Sequence, residues 1–341
     1  MFNEEAALPE IPEFMPKKMN YEYIETSEEA LTERIEMRKV KDAIEMYKDI
    51  QEQGLELSQE TRLSLLHLLC VFNSQEPKEE GNPEDLRYHK INKSPRQYTN
   101  TWKKDSLAEQ VFDDLPEKTS EAYCSLIRGM AKHLNADQAF TLYNDSLNKE
   151  LQIDVGTFNE LLLLCRYQFT TDNEAQWNTM LEILKTMKSQ KVAPNERTFL
   201  CMYISLKACR RLQDKYLFHM LNEMKALNIE PPLGIYFAVI EILYRDKSKT
   251  PDHPFLSQVL DYLQNNKLDF QTIEDVNFFI SAMTASTKSM YDITVAHKLV
   301  DLLQSKDNEK FLVDLESETA FWHKYFTLVC ELEGMDKIME I

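Results

Sequence analysis

The sequence predicts an all-α fold, an α-solenoid of stacked helix-turn-helix pairs, and three observations carry that prediction. The segment Met187–Phe199 returns 37 residues later as Met224–Tyr236, with methionine, lysine, a β-branched residue, proline and an aromatic all in register. Around these markers apolar side chains recur at three- and four-residue spacing, the period of a helix with one buried face. Only 6 of 341 residues are glycine, which leaves little material for tight hairpins or phosphate-cradling loops.

The elements follow in order from that pattern. Residues 1–26 read as an extended amino-terminal segment, and residues 27–341 as the repeat array. In the unit beginning at Thr119, Tyr123, Leu126, Ile127 and Met130 form one apolar face, and Ala139, Leu142, Tyr143 and Leu147 form a second after a short turn. Carrying this helix-turn-helix outward predicts helix pairs at 27 to 37 with 39 to 53, 58 to 73 with 105 to 115, and 119 to 133 with 136 to 149. Further pairs fall at 155 to 168 with 172 to 190, 195 to 209 with 213 to 228, 232 to 246 with 252 to 266, and 272 to 286 with 290 to 305. A last helix at 316 to 333 makes a half repeat, and the array is expected to continue beyond Ile341. Between pairs, proline and asparagine stop one helix and cap the next, because proline lacks a donor and asparagine accepts from an orphan amide. A single pair cannot bury its own apolar faces, so neighbours must stack.

Composition excludes several chemistries. No G-x-G-x-x-G or P-loop pattern occurs, no His has the spacing of a zinc site, and no cofactor or metal is expected. Cys70, Cys124, Cys165, Cys201, Cys209 and Cys330 sit singly in apolar helical surroundings, where a thiol packs as a small hydrophobe in a reducing compartment. The acidic pairs Glu79-Glu80 and Asp113-Asp114 read as solvated faces, His133 and His219 as packed or surface side chains, and no nucleophile has a neighbouring base. An enzyme, a membrane association and a small-molecule substrate are therefore not expected. Four glutamates precede the first lysine, so no Arg-rich presequence is visible.

The chain carries 57 acidic and 39 basic side chains, a formal charge of −18, which opposes wholesale binding of a polyanion. The distribution is uneven. An insert at residues 74–104 holds Arg87, Lys90, Lys93, Arg96, Lys103 and Lys104 without an acid between them, interleaved with Tyr88, Tyr98 and Trp102. Cations neutralise phosphates and aromatic faces stack on unpaired bases, so this composition suits looped or single-stranded RNA. An acidic protein surface or a solvated loop without a role stands as the lesser alternative. A second basic stretch between Lys185 and Lys215 includes Arg197, Arg210 and Arg211.

The alternation of helices resembles the pentatricopeptide repeat family. The segments that carry the resemblance are Tyr123–Lys132, Asp137–Tyr143, Ala43–Tyr47, Thr157–Asn159 and Lys191–Asn195. Ile11–Pro16, Glu29–Val40, Leu65–Cys70, Ile127–His133, Met224–Ala226 and Ile229–Pro231 are more specific, and are similar to the pentatricopeptide-repeat proteins of the mitochondrial small ribosomal subunit. That resemblance implies a mitochondrial matrix location and a scaffold role. It also implies contacts with ribosomal RNA and neighbouring ribosomal proteins, near the uptake of messenger RNA. In RNA-reading members, the residue after the first-helix aromatic and the last residue of the repeat read one base edge together. Here that pair is Asn159 and Asn195, but the next unit offers Leu200 and Pro232, and Asn195 also suits a helix N-cap. Structural rather than sequence-coded RNA contact is expected. A free RNA-processing or stability factor and a purely protein-binding scaffold stand as alternatives.

Overall fold

The computed structural model describes residues 21–76, 101–168, 172–245 and 254–333. These are helical with short connections, and the chain divides into two compact units, residues 1–129 and 130–341. In the first unit lie α1 (Glu28–Glu36), α2 (Val40–Gln53), α3 (Gln59–Phe72), α4 (Leu107–Asp113) and most of α5 (Ser120–Lys132). The second unit contains α6 (Ala136–Asn148), then the pairs α7 (Val155–Gln168) and α8 (Asn173–Ser189), and α9 (Glu196–Leu206) and α10 (Gln213–Ala226). It continues with α11 (Leu233–Leu243) and α12 (Phe255–Leu263), α13 (Phe278–Ala285) and α14 (Ile293–Gln304), and ends on α15 (Leu315–Leu332).

Local chemistry sets the ends. Ser27, Ser58, Asn135, Asp172, Asn195, Asp292 and Asp314 stand at N-cap positions and accept from backbone amides of the first turn. The C-termini of the second helices explain why the repeat markers keep register. Lys191 and Asn228 adopt left-handed backbone, φ 58° and 54°, and the next amides, of Val192 and Ile229, donate to the carbonyls of Met187 and Met224 at 2.9 Å. The same turn closes α2 through Gly54 and Leu55 to Ile50, and α6 through Glu150 and Leu151 to Ser146. This is the six-to-one closure of a helix C-terminus, with an apolar residue after the left-handed one. The recurring Met, Lys or Asn, and β-branched residue are its acceptor, its left-handed corner and its apolar seal.

In the second unit the first helices of each pair, α7, α9, α11 and α13, pack side by side in sequence order, and α15 completes that layer. Their inward faces bury Phe158, Tyr203, Phe278, Phe279 and Phe321 almost completely. Polar stitches run within and between layers: Ser205 Oγ donates to Leu162 O of the neighbouring first helix at 2.8 Å, while Gln176 Nε2 donates to Ser205 O at 3.1 Å and Tyr203 OH to Leu217 O at 2.9 Å across to the second helices.

Three expectations need correction. The helix expected at 195 to 209 stops at Leu206, and Cys209 is buried in the following turn rather than on a helix. The helix expected at 272 to 286 is three pieces: a 3₁₀ turn at Ile273–Asn277, α13, and a π turn at Ser286–Met290. The hydroxyls of Ser286 and Thr287 both donate back to Met283 O at 2.9 Å, the competing hydrogen bonds that loosen a helix at this point. Cys330 is exposed, unlike the other five cysteines. An unexpected 3₁₀ turn at Asn308–Phe311 delivers Phe311 to the core.

Candidate nucleic-acid interface

Among the described residues, the sequence-predicted RNA residues are not gathered into one patch. Arg87, Lys90, Lys93, Arg96 and Tyr98 lie outside the described residues. Lys103 and Lys104 are exposed, but Trp102, expected to stack on bases, is buried. Its indole lies against Gly129 of α5, where an added Cβ would stand 3.0 Å from the ring and 2.7 Å from Cys70 Cβ; the indole N–H donates to Glu109 Oε1 at 2.6 Å. Trp102 is a core side chain because the bare backbone at Gly129 lets it approach.

Asn159 is also turned inward. It is buried, its Oδ1 accepts from Thr198 Oγ1 at 2.7 Å, and its Nδ2 donates to Asn195 Oδ1 at 3.3 Å. Asn195 in turn makes a capping box with Thr198 at the start of α9. The pair that resembles a base reader is thus a helix-to-helix fastener.

Arg197, expected to anchor phosphate, holds both carboxylate oxygens of Glu274 at 2.9 Å. On the next residue, the carboxylate of fully buried Asp275 accepts from Gly234 N and Thr272 Oγ1 on one oxygen, both at 2.6 Å. Its other oxygen accepts from Gln271 N at 2.7 Å and Thr272 N at 2.9 Å. A Cβ at Gly234 would stand 2.6 Å from Thr272 Oγ1, so glycine permits the closeness on which this network depends. The polar hollow beside it is lined by Glu196, Arg197, Glu230 and Thr272, an acid-bearing surface that repels phosphate.

The opposite ends of the same helices are different. Arg166 lies at the end of α7, Lys207 and Arg245 just past α9 and α11, Lys288 in the π turn after α13, and Lys324 on α15. They come one repeat apart in sequence and are neighbours in space. Burial pushes the Cys201 thiol on α9 up to about 12, and the Arg197 charge and, more weakly, the Arg166 charge pull against that rise. Lys207 Nζ donates to Glu241 on α11 at 2.9 Å, and the Arg245 guanidinium reaches Lys207 O at 3.4 Å. Arg245 and Lys288 line one hollow of about 220 Å³ with Tyr244 and Ser289. Burial and then the Lys288 charge hold the Lys324 ammonium below the ordinary lysine value. Arg210 and Arg211 are exposed on the turn after Lys207.

These side chains make a basic edge that a scan for linear charge runs misses. The signal present in the sequence was a cation at or just past the C-terminal end of α7, α9, α11 and α13, visible only once repeats are aligned. Glu241 is a counter-charge on this edge, and its bond to Lys207 is more than a third exposed at both partners. Such a pair contributes about 1 kcal/mol or less, so a phosphate can exchange for it. The basic stretch from Lys185 to Lys215 is divided: Lys185, Lys188 and Lys191 sit at the far end of α8, across the length of α9 from Arg210 and Arg211.

Catalytic geometry is weak by comparison. Ser125 Oγ and His67 Nδ1 are 3.5 Å apart, at the limit of a hydrogen bond, and burial followed by the Arg128 charge lowers the His67 pKa. Burial pushes Cys165 up to about 12 and Cys209 up to about 11, far from nucleophilic thiolates at neutral pH. Among the described residues there is no group of three His, Cys, Asp or Glu side chains placed to hold a metal, and no helix long and apolar enough to cross a membrane.

Residues 1–135 match the family model described as small ribosomal subunit protein mS39, PPR, and residues 116–252 match that of the pentacotripeptide-repeat region of PRORP. Proteins named small ribosomal subunit protein mS39 are similar along the whole chain. That of Xenopus laevis is 33% identical over 356 residues, covering 100% of this chain and 53% of its own length. That of Mus musculus is 34% identical, covering 98% and 50%, and that of Drosophila melanogaster 29%, covering 99% and 52%. The chain spans about half the length of these relatives. The crystal structure of the maize pentatricopeptide repeat protein PPR10 covers 92% of this chain and 52% of its own at 15% identity, with a TM-score of 0.37.

Proposed function

We propose that this chain is a non-catalytic, RNA-contacting component of the mitochondrial small ribosomal subunit, of the mS39 type. The observation that carries this reading is similarity over the entire chain, at about a third identity, to proteins bearing that name in frog and mouse. Its mode of action is positioning. The basic edge at Arg166, Lys207, Arg245, Lys288 and Lys324, with Arg210 and Arg211 beside it, neutralises phosphates of ribosomal RNA. The insert bearing Arg87, Lys90, Lys93, Arg96, Tyr98, Lys103 and Lys104 supplies a second contact to looped RNA. The acidic remainder meets neighbouring ribosomal proteins and keeps RNA off the other faces. A place near messenger RNA entry belongs to the same proposal.

Structural contact is favoured over base reading because Asn159 is spent on Thr198 and Asn195, inside the protein. The test is sucrose-gradient sedimentation of the epitope-tagged protein from mitochondrial lysate, probed for small-subunit ribosomal RNA. Comigration with the small subunit is expected. A light peak free of ribosomal RNA would leave the free factor or the protein scaffold.

A further inference from the structure

The lysines at the far end of α8 take no part in the basic edge, and Lys188 and Lys191 among them line an apolar groove of the second unit. The groove runs between α8 and α10 with the start of α9 as its floor, and encloses about 820 Å³. Its walls are Leu184, Met187, Phe199, Met202, Met220 and Leu227. Trp177 and Tyr216 close one end as a stacked pair, with ring centroids 4.1 Å apart and planes 21° apart. From Trp177 to Lys188 the groove extends along about 16 Å of helix, the length of three turns. Leu227 at its rim is 49% exposed, and a methionine-rich lining adapts to apolar side chains of varied shape.

The rim chooses the partner. Lys185, Lys188 and Lys191 follow one another at three-residue intervals at the end of α8, all exposed, while α10 contributes His219 and the single carboxylate Glu223. In a chain of charge −18 this lip is locally positive. A nucleic acid has no use for a groove walled by methionine and leucine, and a second copy of so acidic a chain would be repelled over most of its surface.

We propose that this groove is a docking site for an acidic amphipathic helix of a neighbouring protein, about three turns long. Its apolar side chains enter between α8 and α10, and its carboxylates face Lys185, Lys188 and Lys191. The proposal is independent of the RNA-contacting edge and of the ribosomal assignment.

A photo-crosslinking amino acid placed at Leu227 of the full-length tagged protein tests it in cells, with the adduct mapped by mass spectrometry. The expected adduct is a protein segment of net negative charge and helical apolar spacing. Its yield should drop at least fivefold when Lys185, Lys188 and Lys191 are all changed to Glu, and persist when they are changed to Arg. An adduct with RNA, with a second copy of this chain or with a basic segment would overturn the proposal. So would a yield indifferent to the Glu changes, or the absence of any adduct.

Discussion

The two ends of the helix layer α7, α9, α11, α13 and α15 are built from the same repeats and behave in opposite ways. At the N-terminal ends, charges are turned on one another: Arg197 grips Glu274, Asp275 collects four donors, and Asn159 fastens Thr198 and Asn195. Towards the C-terminal ends of α7, α9, α11 and α13 cations accumulate, with Glu241 among them, and Lys288 lies close enough to disturb Lys324 midway along α15, whose own end carries Glu331 and Glu333. One end spends its polar groups on holding repeats together. The other keeps its charge available for an anion. A helical-repeat scaffold can thus separate cohesion from binding along the length of one helix.

The comparison breaks most severely at Asp275. Changing Asp275 to Ala leaves the buried amide of Gly234 and the partly buried amides of Gln271 and Thr272 without their acceptor, which should cost about 3 kcal/mol in urea unfolding. RNA affinity of the folded fraction should not move. Arg197→Ala removes a partly exposed bidentate pair and should cost about 1 kcal/mol, again without a change in RNA affinity. An equal loss of RNA binding would erase the distinction between the two ends. Lys191→Gly relaxes a left-handed corner and should stabilise by about 0.5–1 kcal/mol, read as a rise in denaturation midpoint.

The smallest effect sharpens the basic end. Because the folded pKa of Lys324 is depressed, its cost to stability is fully present below that folded pKa. The cost is relieved as pH climbs towards the ordinary lysine value, where the unfolded chain binds the extra proton. Lys288→Gln removes one of the two causes, so the Lys324 pKa should rise and the alkaline gain in stability should flatten. A ¹³C chemical-shift titration of the Lys324 side chain reads the first, and urea unfolding as a function of pH reads the second.

Much of the fold is legible in the sequence because helix and turn chemistry are local. The markers at Met187 and Met224 are the acceptors of a turn that closes within six residues, so their recurrence locates the repeats directly. The π turn after α13 was not legible, since it depends on where the Ser286 and Thr287 hydroxyls point. The site was legible only in part. Trp102 looks like a stacking aromatic in a basic run, and its burial against Gly129 depends on a residue 27 positions away. Arg197 looks like a phosphate anchor until Glu274, two repeats on, is brought to it. Linear charge counting grouped Lys188 with Arg210, which the fold places at opposite ends of α9, and overlooked cations that folding aligns.

The most direct test of the account is the salt dependence of single-stranded RNA binding by the folded protein, with Lys207, Arg245 and Lys288 changed to Glu together, beside Arg197→Glu. The account predicts at least a tenfold weaker affinity for the triple variant, with the log–log salt slope reduced by about 2, three phosphate contacts at about 0.7 each. Arg197→Glu should leave both quantities in place. A triple variant with the wild-type slope, or an equal loss from Arg197→Glu, would contradict the assignment of RNA contact to the C-terminal ends.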